Sequence, residues 1–129
     1  MDLFIDSNVF VANLVDEPGR GDAATAVLDS DHTLYTSLLN IMEVRTVLAK
    51  KKRFEQDEVQ QALTRIVRET SVLVPDAGDL MAANNLQNQT LLYTMDAILA
   101  SIAETNDLTH VSFDSELQEH GAVDPGDVV

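Results

Sequence analysis

Cysteine is absent from this 129-residue chain, and that absence removes disulfides, thiolate zinc sites and cysteine nucleophiles together. Carboxylates and three scattered histidines, His32, His110 and His120, remain as possible metal ligands. The histidines share no ligand-like spacing, so any bound metal should be a hard, oxygen-preferring one. No apolar run approaches the ~20 residues that span a bilayer. The N-terminus carries Asp2 and Asp6 within its apolar stretch and lacks the basic start and small-residue cleavage site of a secretory signal, which points to the cytoplasm. Internal repeats, low-complexity tracts and long Gly/Pro/Ser linkers are also missing, so residues 1–129 read as one domain. A domain of this size buries roughly two thirds of the surface its unfolded chain exposes. With 45% hydrophobic residues it can build its own core.

Positive charge is scarce. Eight Lys and Arg against 22 Asp and Glu give a formal net charge of -14, which by itself favours cationic partners and repels nucleic acid. Seven of the eight cations nevertheless fall in one stretch: Arg45, Lys50, Lys51, Lys52, Arg53, Arg65 and Arg68. Within it, Arg45 and Lys50 to Arg53 are the expected contact for nucleic acid or a protein partner. Lys50 to Arg53 have a competing explanation, since cations near a helix C-terminus are favoured by the helix dipole alone. The acidic surface with its single lysine run resembles proteins of salt-loving archaea, where dense carboxylates keep a chain hydrated.

Apolar periodicity and turn residues divide the chain into alternating strands and helices. Asp2 to Asp6 reads as a strand running directly into a helix from Asn8 to Val15; Glu17 to Gly21 is a turn, Asp22 to Asp29 a short helix, and Thr33 to Thr36 a second strand. Ser37 caps a long helix reaching about Lys52, and Asp57 to Thr70 places Val59, Leu63, Ile66 and Val67 on one stripe. Ser71 to Pro75 is strand-like, Asp76 to Gln87 and Thr94 to Thr105 are helices, and Leu108 to Phe113 is a last strand. Such alternation favours a parallel sheet with helices on both faces. Ligands of such sheets sit beyond the carboxyl ends of the strands, where the winding reverses.

Asp6 and Asp114 each follow a strand and each begin a helix, so either could be a simple N-cap. Asp96 falls in the first turn of a helix with Thr94 as its expected cap, a position the dipole favours. Glu43 has no such explanation. Leu39, Thr46 and Val47 lie one turn away, Ile41, Met42, Val44 and Leu48 occupy other faces, and Arg45 lies about 200° further round. The pattern therefore predicts a Glu43 that points into the protein or a cleft. An unpaired buried carboxylate calls for a cation, a proton or a metal. Asp107, Asp124 and Asp127 read as solvated surface charge, and Asn84, Asn85, Asn88 and Gln89 as loop polarity.

Four segments carry a family resemblance: FIDSNVF (Phe4 to Phe10), SLLNIMEVRTVL (Ser37 to Leu48), MDAILASIAETNDL (Met95 to Leu108) and VSFD (Val111 to Asp114). In this order and spacing the chain resembles the PIN domains over nearly its whole length, and within them the VapC-type toxins. The resemblance implies a three-layer α/β/α domain with a central parallel sheet of four to five strands. It implies that Asp6, Glu43, Asp96 and Asp114 surround divalent metal, magnesium or manganese, with Asp6 and Asp96 as principal ligands and Glu43 and Asp114 as ligands or water-holding acids. Ser7 and Ser112 match hydroxyl positions that support the site, and Asn8 the polar residue that follows. The resemblance further implies an endoribonuclease acting on RNA, a small antitoxin partner and a homodimer.

Two features depart from the family: Ser115 and Glu116 follow the last aspartate where many relatives carry further polar or basic residues, and the acidity is high for an RNA binder. A housekeeping PIN nuclease and a non-cutting RNA-binding PIN-like module are the alternatives within the family. A phosphorylated receiver domain is disfavoured, because it needs a lysine after a late strand and no lysine follows Lys52.

Overall fold

In the computed structural model, which describes residues 1–129, Leu3, Phe4 and Ile5 have no exposed surface. They form most of β1 (Asp2–Ile5), and apolar side chains on both faces suit a central parallel strand. The other strands are β2 (Thr33–Ser37), β3 (Ser71–Leu73) and β4 (Thr109–Val111). The sheet order is β3-β2-β1-β4 and every pair is parallel. Chain order runs outward from β1 to β2 and β3 on one side and returns to β4 on the other. The reversal point is thus the carboxyl edge between β1 and β4.

Because side chains alternate along a strand, Leu3 and Ile5 face one side of the sheet and Phe4 the other. On the first side Leu3, Ile5, Leu34 and Val111 pack against α1 (Ser7–Leu14), α2 (Gly21–Leu28), α3 (Leu38–Thr46) and α4 (Gln56–Glu69) through Val9, Val27, Val44 and Ile66, the larger core. On the second, Phe4 packs with Leu99, Ile102 and Ala103 of α6 (Thr94–Thr105), itself paired with α5 (Ala77–Gln89). This is the three-layer α/β/α arrangement expected. A third cluster joins Ala83 of α5, Leu92 and Ala97 at the start of α6, and Leu117 of α7 (Ser115–Glu119). It joins α7 to the start of α6 and to α5.

Several expectations are refined. A fifth strand is reduced to a single bridge between Val111 and Val123. The long helix after Ser37 is α-helical only to Thr46; Val47–Lys51 forms a π turn closed by the Lys52 N–H on the Val47 carbonyl at 3.0 Å, and Arg53 then takes a left-handed φ of 54°. Tyr93, not Thr94, occupies the N-cap of α6, and its side chain makes no capping bond. Asp124 is not merely solvated charge. It accepts the Gly126 N–H at 2.8 Å and caps the short 3₁₀ turn Pro125–Asp127. No helix is long and apolar enough to cross a membrane.

Candidate active site

Asp6 leaves β1 at the reversal edge and becomes the N-cap of α1, its Oδ1 accepting the Ser7 N–H at 2.8 Å. The carboxylate is only 5% exposed and takes further bonds from Asn40 Nδ2 at 3.1 Å on Oδ1 and from Ser112 Oγ at 2.6 Å on Oδ2. Ser112 has one hydroxyl proton to give. Its oxygen accepts from Asn8 Nδ2 at 3.1 Å and from the Asp114 N–H at 3.0 Å, so that proton is directed to Asp6. The Phe113 N–H, donating to Asn8 Oδ1 at 3.2 Å, closes the network. Asn40 is placed by its own helix start: Ser37 accepts the Asn40 N–H while Asn40 Oδ1 accepts the Ser37 N–H.

Glu43 departs from expectation. It is exposed rather than buried, because α3 turns Leu38 and Met42 outward as well, at 45% and 55% exposure. An apolar sequence all round a helix predicts enclosure only if something packs on every side, and nothing within this chain covers that face. Glu43 sits at the rim of the site, where its Oε1 accepts a hydrogen bond from Ser7 Oγ. Ser7 thereby stands between Glu43 and Asp6, whose Oδ1 lies 3.4 Å from the same hydroxyl.

Asp114 caps α7 through Oδ1, which accepts from the Glu116 and Leu117 N–H groups at 2.8 and 3.2 Å. Asp96 makes neither a cap nor an ion pair. Its pKa is raised from 3.8 to about 6, first by burial and then by the charges of Asp114, Asp6, Glu116 and Glu43. The field at Asp96 thus ties together all four acids expected from the sequence and adds a fifth, Glu116, which that reading treated only as a departure. Asn40 was also missed. Its signal was the three-residue spacing from Ser37, that of a capping pair.

His110 on β4 is buried, with Nε2 lacking any partner and its ring edge-on to Phe4 at 5.3 Å. Burial pushes its pKa below the ordinary 6.5, against the pull of Asp6 and Asp114. His32 instead ties down the C-terminal segment through the Val128 carbonyl at 2.8 Å. The structure does not bring the basic residues into the carboxylate cluster. Arg45 and Lys50 to Arg53 are all exposed, and the only ion pairs are Arg20–Glu17 and Arg65–Glu69.

No lysine or arginine therefore compensates the acids. The oxygen-only donor set of Asp6, Glu43, Asp96 and Asp114 matches the chemistry of a hard divalent cation. No three acidic or histidine side chains are drawn tightly enough to close on one point. Crowding by the other acids adds to burial in raising the Asp96 pKa. The acids also do not line a deep cavity. Hollows of about 420 and 410 Å³ lie instead beside α5, α6 and the α6–β4 turn, and none of the four acids lines either.

Residues 3–123 match the family described as PIN domain. No curated protein sequence matches the chain significantly. Among solved structures, the fold is similar to a toxin-antitoxin complex from Klebsiella pneumoniae (TM-score 0.74, 21% identity, 95% of this chain and 97% of that one). It is similar also to VapC20 of Mycobacterium tuberculosis, titled a sarcin-ricin-loop-cleaving toxin (TM-score 0.77, 17% identity, 94% and 96%). A third is FitAcB from Neisseria gonorrhoeae (TM-score 0.74, 18% identity, 100% of both chains). At these identities the likeness is one of fold.

Proposed function

This chain belongs to the PIN-domain family, and from that premise we propose that it is a metal-dependent endoribonuclease, the toxin of a toxin-antitoxin pair. The observation that carries the reading is the convergence of Asp6, Glu43, Asp96 and Asp114 from four separate elements on one sheet edge with no cation among them. A bound magnesium or manganese ion would supply a nucleophilic water near neutral pH and offset charge on phosphate oxygens. Asp6 and Asp96 would be its principal holders, and Glu43 and Asp114 would complete the set or hold water. Ser112 and Asn40 fix the Asp6 carboxylate in position, and Ser7 holds Glu43 against Asp6. The open, shallow edge suits a polymer strand passing across it better than an engulfed small molecule.

Arg45 and Lys50 to Arg53 are proposed to hold the RNA backbone or a protein partner, being exposed and free of ion pairs. A small antitoxin is supported by the similar Klebsiella pneumoniae structure, which is titled a toxin-antitoxin complex. A homodimer is supported by the outward Leu38 and Met42 of α3, which burial against a second copy would cover. Induced expression in cells, with mapping of new RNA 5′ ends, tests the reading. Wild type should arrest growth and generate discrete ends, whereas Asp6→Asn should do neither. Discrete ends without growth arrest would instead indicate a housekeeping nuclease. No new ends with either protein would leave an RNA-binding module that does not cut.

A further inference from the structure

Arg20 is the one cation outside the Arg45–Arg68 stretch, and the fold delivers it to the β4 side of the site. Its guanidinium lies over the Phe113 ring, 5.0 Å from the centroid. Phe113 is the residue between Ser112 and Asp114, so its Cα is only ~3.8 Å along the chain from that of Asp114. Through its own N–H it is fastened to Asn8, and Asn8 to Ser112. The ring that carries Arg20 thus hangs on the same network that orients Asp6.

The loop bringing Arg20 there is built tightly. Asp16 and Gly19 take left-handed φ values of 49° and 81°. Gly21 has no space for a side chain, since a Cβ would stand 2.9 Å from Asp16 Oδ1 and 3.1 Å from the Asp16 carbonyl carbon. The Gly21 and Arg20 N–H groups both close on the Glu17 carbonyl, at 2.7 and 3.1 Å.

What the loop holds in place is left with its bonding capacity unused. The Arg20 side chain is 51% exposed, and its single ionic contact is Nε to Glu17 at 3.9 Å, too long for a hydrogen bond. Arg65, by contrast, donates to Glu69 at 3.1 Å. Stacking on an aromatic face leaves the guanidinium edge and its fork of donors open, the geometry that matches a phosphate.

Resting on the ribonuclease reading, we propose that Arg20, stacked on Phe113, binds a backbone phosphate of the RNA strand next to the scissile one, on the β4 side of the acids. The strand then has a cation at each side of a strongly repelling centre, the Lys50–Arg53 run beyond α3 and Arg20 over Phe113. Arg20 is a positioning residue. It sets where the strand lies and takes no part in bond breaking.

The test uses purified full-length protein and a 5′-fluorescein single-stranded RNA that wild type cuts in Mn²⁺. Arg20→Gln should raise KM about tenfold with kcat within about twofold. In EDTA it should weaken RNA binding and reduce the slope of log K against log salt by ~0.7, the value for one lost phosphate contact on a single strand. Arg20→Lys keeps the charge but not the stacked fork of donors, and should restore the full slope with only part of the affinity. Unchanged KM and slope in Arg20→Gln would overturn the proposal, as would a loss that Arg20→Lys fails to rescue and that tracks a fall in Tm. A loss confined to antitoxin binding would also overturn it and assign Arg20 to the protein partner. If wild type cuts no RNA with any divalent metal, the ribonuclease reading itself fails, a result distinct from these.

Discussion

Asp6 and Asp114 each do two things, closing a helix N-terminus and presenting a carboxylate to the site. The two roles separate experimentally, because asparagine caps a helix about as well as aspartate and carries no charge. Asp6→Asn and Asp114→Asn should therefore keep the fold. Asp6→Asn should lose activity by more than the 10- to 100-fold typical of residues that only orient a metal ligand. In metal-free buffer its Tm should equal or exceed that of wild type, since one repelling charge is gone. An active, destabilised Asp6→Asn would mean that the cap is the residue's main role. Asp96 adds a pH dependence. Its folded pKa of about 6 exceeds the ordinary 3.8, so between those values the folded state binds more protons than the unfolded one and stability falls as pH rises. The difference in Tm between wild type and Asp96→Asn in EDTA should change across that window and be flat above it. A difference constant from pH 4 to 8 would contradict the crowding of acids around Asp96. These aspartates were legible in the sequence because each follows a strand or opens a helix, positions that local pattern reveals. Glu43 was legible as an oddity, but its exposure was not, since exposure depends on what packs over α3 and not on α3 itself.

At the scale of elements, the short apolar runs and the helical stripes located the strands and helices, because burial on one or both faces of a sheet imposes those patterns directly. What brings Asp96 to Asp114 and Glu116 is different in kind. It is the shared apolar cluster of Ala83, Leu92, Ala97 and Leu117, an association of distant segments that no local periodicity records. The π turn was likewise hidden, since Val47–Lys51 contains no glycine or proline to mark a change of helix. The turn ends α3 in exposed cations, and replacing Lys50, Lys51 and Lys52 by glutamine tests their role. Lost phosphate contacts should weaken RNA binding across sequences and flatten its salt dependence. Measurement belongs at the lowest salt that keeps the protein folded, because at molar salt the Debye length is only ~3 Å. Unchanged RNA affinity, salt slope and antitoxin affinity would reduce the cluster to helix-end electrostatics.

Across the whole molecule the net charge of -14 sets the conditions under which everything else acts. A chain so acidic repels RNA at long range, so the proposed RNA binding would have to come from local cations and from metal that neutralises the acids. Added salt should therefore stabilise the metal-free fold by screening its self-repulsion, with Tm rising with KCl in EDTA and rising less in Asp96→Asn. Equal salt responses would place the repulsion elsewhere on the surface. Cleavage of an end-labelled single-stranded RNA, by wild type and Asp96→Asn in parallel, bears most directly on the metal mechanism. Wild type should cut in Mg²⁺ or Mn²⁺, stop in EDTA and resume when either ion is restored in excess, while Asp96→Asn stays inactive throughout. Undiminished cutting in EDTA, or an Asp96→Asn protein as active as wild type, would contradict it.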